Sequence, residues 1–255
     1  MNIKHSLNYL YKTFPCQGIL KYSARIFIFC LFAVATLSSL SSSVQFKAGN
    51  IFFGGVPSLY NLTLAHFFFE RAAHPTISQK VPPYVHYQLS RIYFISGNFN
   101  MSIIEAQKEL ELYPENTRTW YILGLTYGYM NEEQEAIDAF SKFIDTHPDT
   151  WAARNDKAWL QFRIGDINGA LTTIKPVTRD IDNPWVQNTY GTLLMNNKLY
   201  GPAREAFKNA YTAVHKMKEE DWGRAYPGND QRIHETGLNA MKLSIESNLK
   251  LLESK

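Results

Sequence analysis

The chain has 255 residues, 45% apolar and 14% aromatic, which is enough for a packed core and excludes an unfolded, charge-rich chain. Its net charge of +3 is unevenly spread: residues 1–82 hold 7 Lys and Arg against the single acid Glu70, whereas 83–255 hold 19 basic and 22 acidic residues. The mildly acidic remainder argues against a nucleic-acid footprint there, and the two cysteines, Cys16 and Cys30, leave no disulfide framework or thiolate metal site beyond them.

Residues 1–25 form a basic tail with Lys4, Lys12, Lys21 and Arg25 and no acid. Ile26 to Phe46 follows without a charge for 21 residues, and about 20 residues of helix span a bilayer core. Its first half, to Ala35, is strongly apolar; Thr36 and several serines dilute the second. The segment 26–46 is therefore expected as a transmembrane or signal-anchor helix. The positive-inside bias leaves the tail in the cytosol and exports the rest, to a periplasmic or extracytoplasmic space. A cleaved signal, with secretion, and organelle targeting stay open as alternatives. Gly54-Gly55 and Pro57 mark residues 47–63 as a linker.

Leu64 to Ala72 places Ala65, Phe69 and Ala72 on one helical face, and Pro82-Pro83 punctuates the chain after it. Residues 83–116 then carry His86, Leu89, Ser90 and Tyr93 on a first helix, with Gly97 at a turn and Ser102 and Ala106 on a second. Residues 117–150 repeat the scheme. Trp120, Leu123 and Tyr127 share one face, Gly124 allows close approach, and Ala136, Phe140 and Phe143 pack from the second helix. Pro148 ends the unit, 34 residues after Pro114. Residues 151–183 offer Ala158, Gly165, Ala170, Ile174 and Val177. Residues 184–217 offer Tyr190, Gly191, Leu194, Ala203, Phe207 and Ala210, with Pro202 in the first turn of the second helix. From Trp222 to Asp230 a loop is expected. A helix from about Gln231 to Glu253 follows, with Leu238, Met241, Ile245, Leu249 and Leu252 in one stripe.

The spacing W-x2-L-G-x2-Y…A-x3-F…P across Trp120 to Pro148 resembles the tetratricopeptide repeat (TPR), and four units in register extend the resemblance over about residues 64–217. The resemblance implies an all-α helix-turn-helix solenoid of about four units after the N-terminal membrane segment. Residues 64–82 are then a half unit, 83–116, 117–150, 151–183 and 184–217 full units, and 218–255 a loop with a capping helix.

No H-E-x-x-H, G-x-S-x-G, P-loop or dinucleotide-binding spacing occurs, and the histidines are scattered, so no enzyme, cofactor or metal is expected. Sequons begin at Asn61 and Asn100. In proteins of this kind, first-helix residues turned from the packing stripe line a concave face. On this chain those residues are Tyr84, Tyr87, Arg91 and Phe94, then Arg118, Tyr121 and Tyr129, then Asn155, Trp159, Phe162 and Arg163, then Trp185, Asn188 and Met195. Aromatics and Arg are the residues enriched at interface hot spots, and Asn155 and Asn188 offer an extended peptide a donor and an acceptor each. The expected function is a protein-interaction scaffold or holdase tethered to a membrane. The alternative is a self-assembling structural subunit of an envelope or secretion complex.

Overall fold

The computed structural model describes residues 41–75, 80–225, 234–253 and 255. The basic tail 1–25 and residues 26–40 of the apolar segment lie outside these. Every regular element among the described residues is helical, and none of those helices is long and apolar enough to cross a membrane. The chain divides into two compact units, separated between Pro82 and Pro83.

In the N-terminal unit, α1 (Ser42–Asn50) and α2 (Leu62–Ala73) form an antiparallel pair. Ser41 and Asn61 cap them, accepting hydrogen bonds from the amides of Val44 and Leu64 and so satisfying first-turn donors that a helix cannot pair itself. Phe69 is fully buried in the pair. A Cβ on Gly49 would lie 2.6 Å from its ring, and Phe46 and Phe53 close on it at 5.8 and 6.0 Å. This corrects two expectations. Residues 47–63 are not a plain linker: they hold the end of α1, a π-turn (Ile51–Gly55) and a 3-10 turn (Pro57–Leu59). The helix at 64–72 is not a lone half unit, because α1 is its partner. The apolar segment obscured α1, since Ser42 and Gln45, buried in the pair, read as a diluted span.

The second unit holds four helix pairs: α3 (Val85–Ile95) with α4 (Phe99–Leu112), α5 (Arg118–Tyr129) with α6 (Glu133–Thr146), α7 (Trp151–Arg163) with α8 (Ile167–Ile174), and α9 (Pro184–Asn196) with α10 (Tyr200–Lys216). Each second helix also packs on the next first helix. The turns inside the pairs share one device: Gly97, Asn131, Gly165 and Lys198 all have φ between +60° and +86°, spaced 34, 34 and 33 residues apart. A left-handed residue after a helix lets the next amides return to its free carbonyls, as Asn98 N–H does to Tyr93 O and Leu199 N–H to Leu194 O.

The core runs along the inside of each pair. Phe140, Ile174 and Phe207 are essentially inaccessible, and burying such a side chain stabilises by about 1.5–3 kcal/mol. In the first pair the equivalent residue is the small Ala106, and a chain of buried hydroxyls stands beside it. Ser90 and Ser102 are 3.1 Å apart, Ser102 and Thr126 3.0 Å, and Thr126 donates to Ile122 O at 2.7 Å. Beyond α10, residues 219–225 form a short helix, α11 (Glu219–Ala225), where a loop was expected from Trp222. The terminal helix α12 (His234–Glu253) packs on α10, burying Leu238, Ile245 and Leu252. Arg204 donates to Leu252 O at 3.0 Å and pins its end.

Candidate functional site

First helices α3, α5, α7 and α9 each touch the next, so their outward residues form a continuous face. On α7, Asp156, Trp159 and Arg163 are three and four residues apart and therefore lie on one side. Opposite them stand Tyr129, at the end of α5, and Asn131 in the left-handed turn. Between the two helices is a cavity of about 440 Å³ lined by these five residues and backed by Gly124, Gly128 and Phe140. Trp159 is 43% exposed and Tyr129 60% exposed, unusual for large rings and suited to contact with a ligand.

Arg163 closes one end. Its guanidinium donates to Asn131 Oδ1 at 2.9 Å and pairs with Glu133 at 2.8 Å, so its charge is largely offset within the protein. At the other end, Tyr121 O–H donates to Asp156 Oδ2 at 3.2 Å across the two helices. Asp156 has no basic partner among the described residues. Burial pushes its carboxyl up to about 7, against the opposing pull of hydrogen bonds from Tyr121 and the Asn155 side chain. Burial, then the nearby Asp156 charge, raises the Tyr121 phenol well above its ordinary range, so it stays a protonated donor at neutral pH.

The remaining sequence-predicted residues are distributed in four ways. Tyr84, just before α3, forms a cluster with Tyr87 and Arg91 on it: the Tyr84 and Tyr87 rings are 6.4 Å apart, and the Arg91 guanidinium lies 5.7 Å from the Tyr87 ring centre. The buried Glu109 carboxylate anchors this cluster, accepting from the amides of Tyr84 at 2.7 Å and Tyr87 at 3.1 Å and from Asn116 at 3.0 Å. It supplies the helix cap that Tyr84, at φ +71°, lacks. Phe94 meets Tyr129 edge-on at 5.2 Å and connects the cluster to the cavity. Arg118 is exposed but does not line the cavity.

Four predicted contacts are spent on the fold. Asn155 is buried at 7% exposure. Phe162 packs into the α7–α9 core and against Trp159 at 5.4 Å. Asn188 accepts from Asn248 on the terminal helix at 3.1 Å, and Trp185 stacks on Trp151 at 5.5 Å, so at α9 this face is covered by the chain itself. Sequence reasoning missed Asp156 and Asn131. Both are polar residues in helical or turn context, with nothing local to separate them from solvated surface. No three His, Cys, Asp or Glu side chains converge as a metal site among the described residues.

Residues 117–150, the pair α5–α6 that builds half of this cavity, match the tetratricopeptide repeat family model. The BBSome complex member BBS4 of Bos taurus is 28% identical over 123 residues, 48% of this chain; the chain spans only 24% of that protein's length. Among solved structures, the MamA protein superimposes with a TM-score of 0.56 over 69% of this chain and 92% of its own, at 18% identity. YrrB, described as a TPR protein with an unusual peptide-binding site, superimposes with a TM-score of 0.55 over 66% of this chain and 84% of its own, at 17% identity. The fold is an all-α TPR solenoid.

Proposed function

We propose that this TPR solenoid is a non-catalytic docking platform that binds an extended peptide segment of a partner protein along its first-helix face. The observation that carries the reading is the cavity between α5 and α7, walled by the exposed rings of Tyr129 and Trp159 and floored by the core of the second pair. Rigid helices hold those rings, so binding there orders little of the protein. The peptide-binding site of YrrB belongs to that protein and supports the reading by fold alone. We further propose that the uncharged segment expected at 26–46 anchors the chain in a membrane through residues 26–41, since 42–46 belong to α1, with 1–25 cytosolic and the repeats exported. Their uncharged composition and the basic tail before them support this. Tethering would raise the platform's effective concentration near membrane partners.

Panning a random twelve-residue peptide library against the chain tests the docking reading. Enriched peptides should lose at least about tenfold in affinity on a Tyr129→Ala/Trp159→Ala variant, since central aromatics carry ~2 kcal/mol or more at interfaces. Undiminished binding to that variant would end it. A second reading, self-assembly through the terminal helix, draws on Leu243, which is 66% exposed on α12. Light scattering separates the two: a mass that grows with concentration and falls back in Leu243→Glu supports assembly.

A further inference from the structure

Resting on the peptide-docking reading, we propose that the α5–α7 cavity is a cation pocket that receives a Lys or Arg side chain of the bound segment, with Asp156 as counter-charge and Trp159 and Tyr129 as walls. Three observations carry this. The Asp156 carboxylate lines the cavity, and no basic group among the described residues pairs with it. The cation that lines the same cavity, Arg163, is committed to Glu133 and Asn131 at the opposite end, so it does not pair with Asp156. The two exposed rings line the cavity, and aromatic quadrupoles attract an ammonium or guanidinium most when water is excluded. An acidic or purely apolar side chain fits this arrangement worse. The first would face an unpaired carboxylate, and the second would bury that carboxylate without a partner.

The pairing answers an electrostatic need already present in the fold. Burial drives the carboxyl up to about 7. A cation beside it would favour the ionised form and pull that value down. Proton and ligand therefore compete, and binding should weaken as pH falls through about 7. The other groups facing Asp156 do not reverse this sign. Tyr121 remains a neutral donor, Arg163 and Glu133 stay paired to each other, and the charges acting on Lys157 are those of Asp145, Arg154 and Asp138.

The test uses the full chain and four fluorescent twelve-residue peptides, acetylated and amidated, identical except for Arg, Lys, norleucine or Glu at one central position. Nα-acetyl-arginine amide serves as a single-residue probe. The Arg and Lys peptides should bind at least about tenfold tighter than the norleucine and Glu peptides at pH 8. That preference should shrink at pH 6 and vanish in Asp156→Asn, which keeps the acceptor for Tyr121. A cooperative melting transition at or above the wild-type temperature shows that the variant folds, and Trp159→Ala provides a second arm that leaves the carboxylate intact. No preference, a preference for Glu, or a preference that survives Asp156→Asn overturns the cation pocket while leaving peptide docking in place. Capture of the arginine amide dependent on Asp156 without binding of any peptide supports the pocket and overturns the docking reading. Binding of neither peptides nor arginine amide overturns both.

Discussion

A Cβ built on Gly124 would lie 2.7 Å from Cδ1 of Phe140, inside any contact real side chains make. The same relation recurs between Gly191 and Phe207 at 2.7 Å. In the third pair the equivalent residues are Ala158 and Ile174, and in the first Ser90 and Ala106, all buried. A large residue on the second helix is thus matched by none on the first, and a smaller one by a methyl or hydroxymethyl group. The complementarity fills the space between paired helices while the residues change, because interiors pack to near-crystalline density.

Gly124→Ala should therefore destabilise the protein by about 1–3 kcal/mol through overpacking. Adding Phe140→Leu should recover part of the loss, and a double-mutant cycle in denaturant reads the coupling. Purely additive effects would show that the two residues do not share the space.

Lys198 adopts φ +62° at the turn where Gly97 and Gly165 stand in other pairs, and its side chain is exposed. Left-handed backbone costs an L-residue about 1–2 kcal/mol, part of which is offset by glycine's larger unfolded entropy. Lys198→Gly should stabilise by roughly 0.5–1 kcal/mol, visible as a higher denaturation midpoint with an unchanged slope.

Glu105 is buried and accepts from Lys108 at 2.7 Å, with His86 Nδ1 at 2.6 Å. Burial alone would raise its carboxyl, but the hydrogen bonds and charges of His86 and Lys108 outweigh it and hold it below the ordinary value. A depressed carboxyl contributes stability above its unfolded pKa that is lost as pH falls through the folded one. Glu105→Gln should cost about 1–3 kcal/mol at pH 7, with the gap to wild type closing below pH 4. Thermal melts across that range would measure it.

Asp156 has the opposite sign. Its folded value, about 7, lies above the ordinary 3.8, so the folded state keeps a proton that the unfolded chain has released. Its contribution is complete below about 4 and is lost as pH rises through about 7. Asp156→Asn should raise the melting temperature by a few degrees at pH 8 and leave it nearly unchanged at pH 4. Equal effects at both pH values would show a carboxylate in contact with bulk water.

The repeat period, the pairing within the four units and the turns at Gly97 and Gly165 were legible in the sequence, whereas the left-handed turns at Asn131 and Lys198 were not. Each legible feature follows from residues within one 34-residue unit: Gly97 and Gly165 at turns, Ala136 and Ala203 at close contacts, Pro148 at an end. The partner of the first described helix was not. Ser42 and Gln45 become core residues only when α2 covers them, and in sequence they continue an apolar run. The site divided the same way. Tyr129, Trp159 and Arg163 were read as outward residues of first helices, but so were Asn155, Phe162 and Asn188, which the fold itself uses. Whether an outward residue stays open depends on what a distant segment does. Asn248 claims Asn188 from 60 residues away, and Tyr121 hydrogen-bonds Asp156 from 35. Short-range spacing fixes which way a side chain points along its own helix. Only the stacking of helices decides whether that direction leads to solvent, to the core or to an unpaired charge at the edge of a cavity.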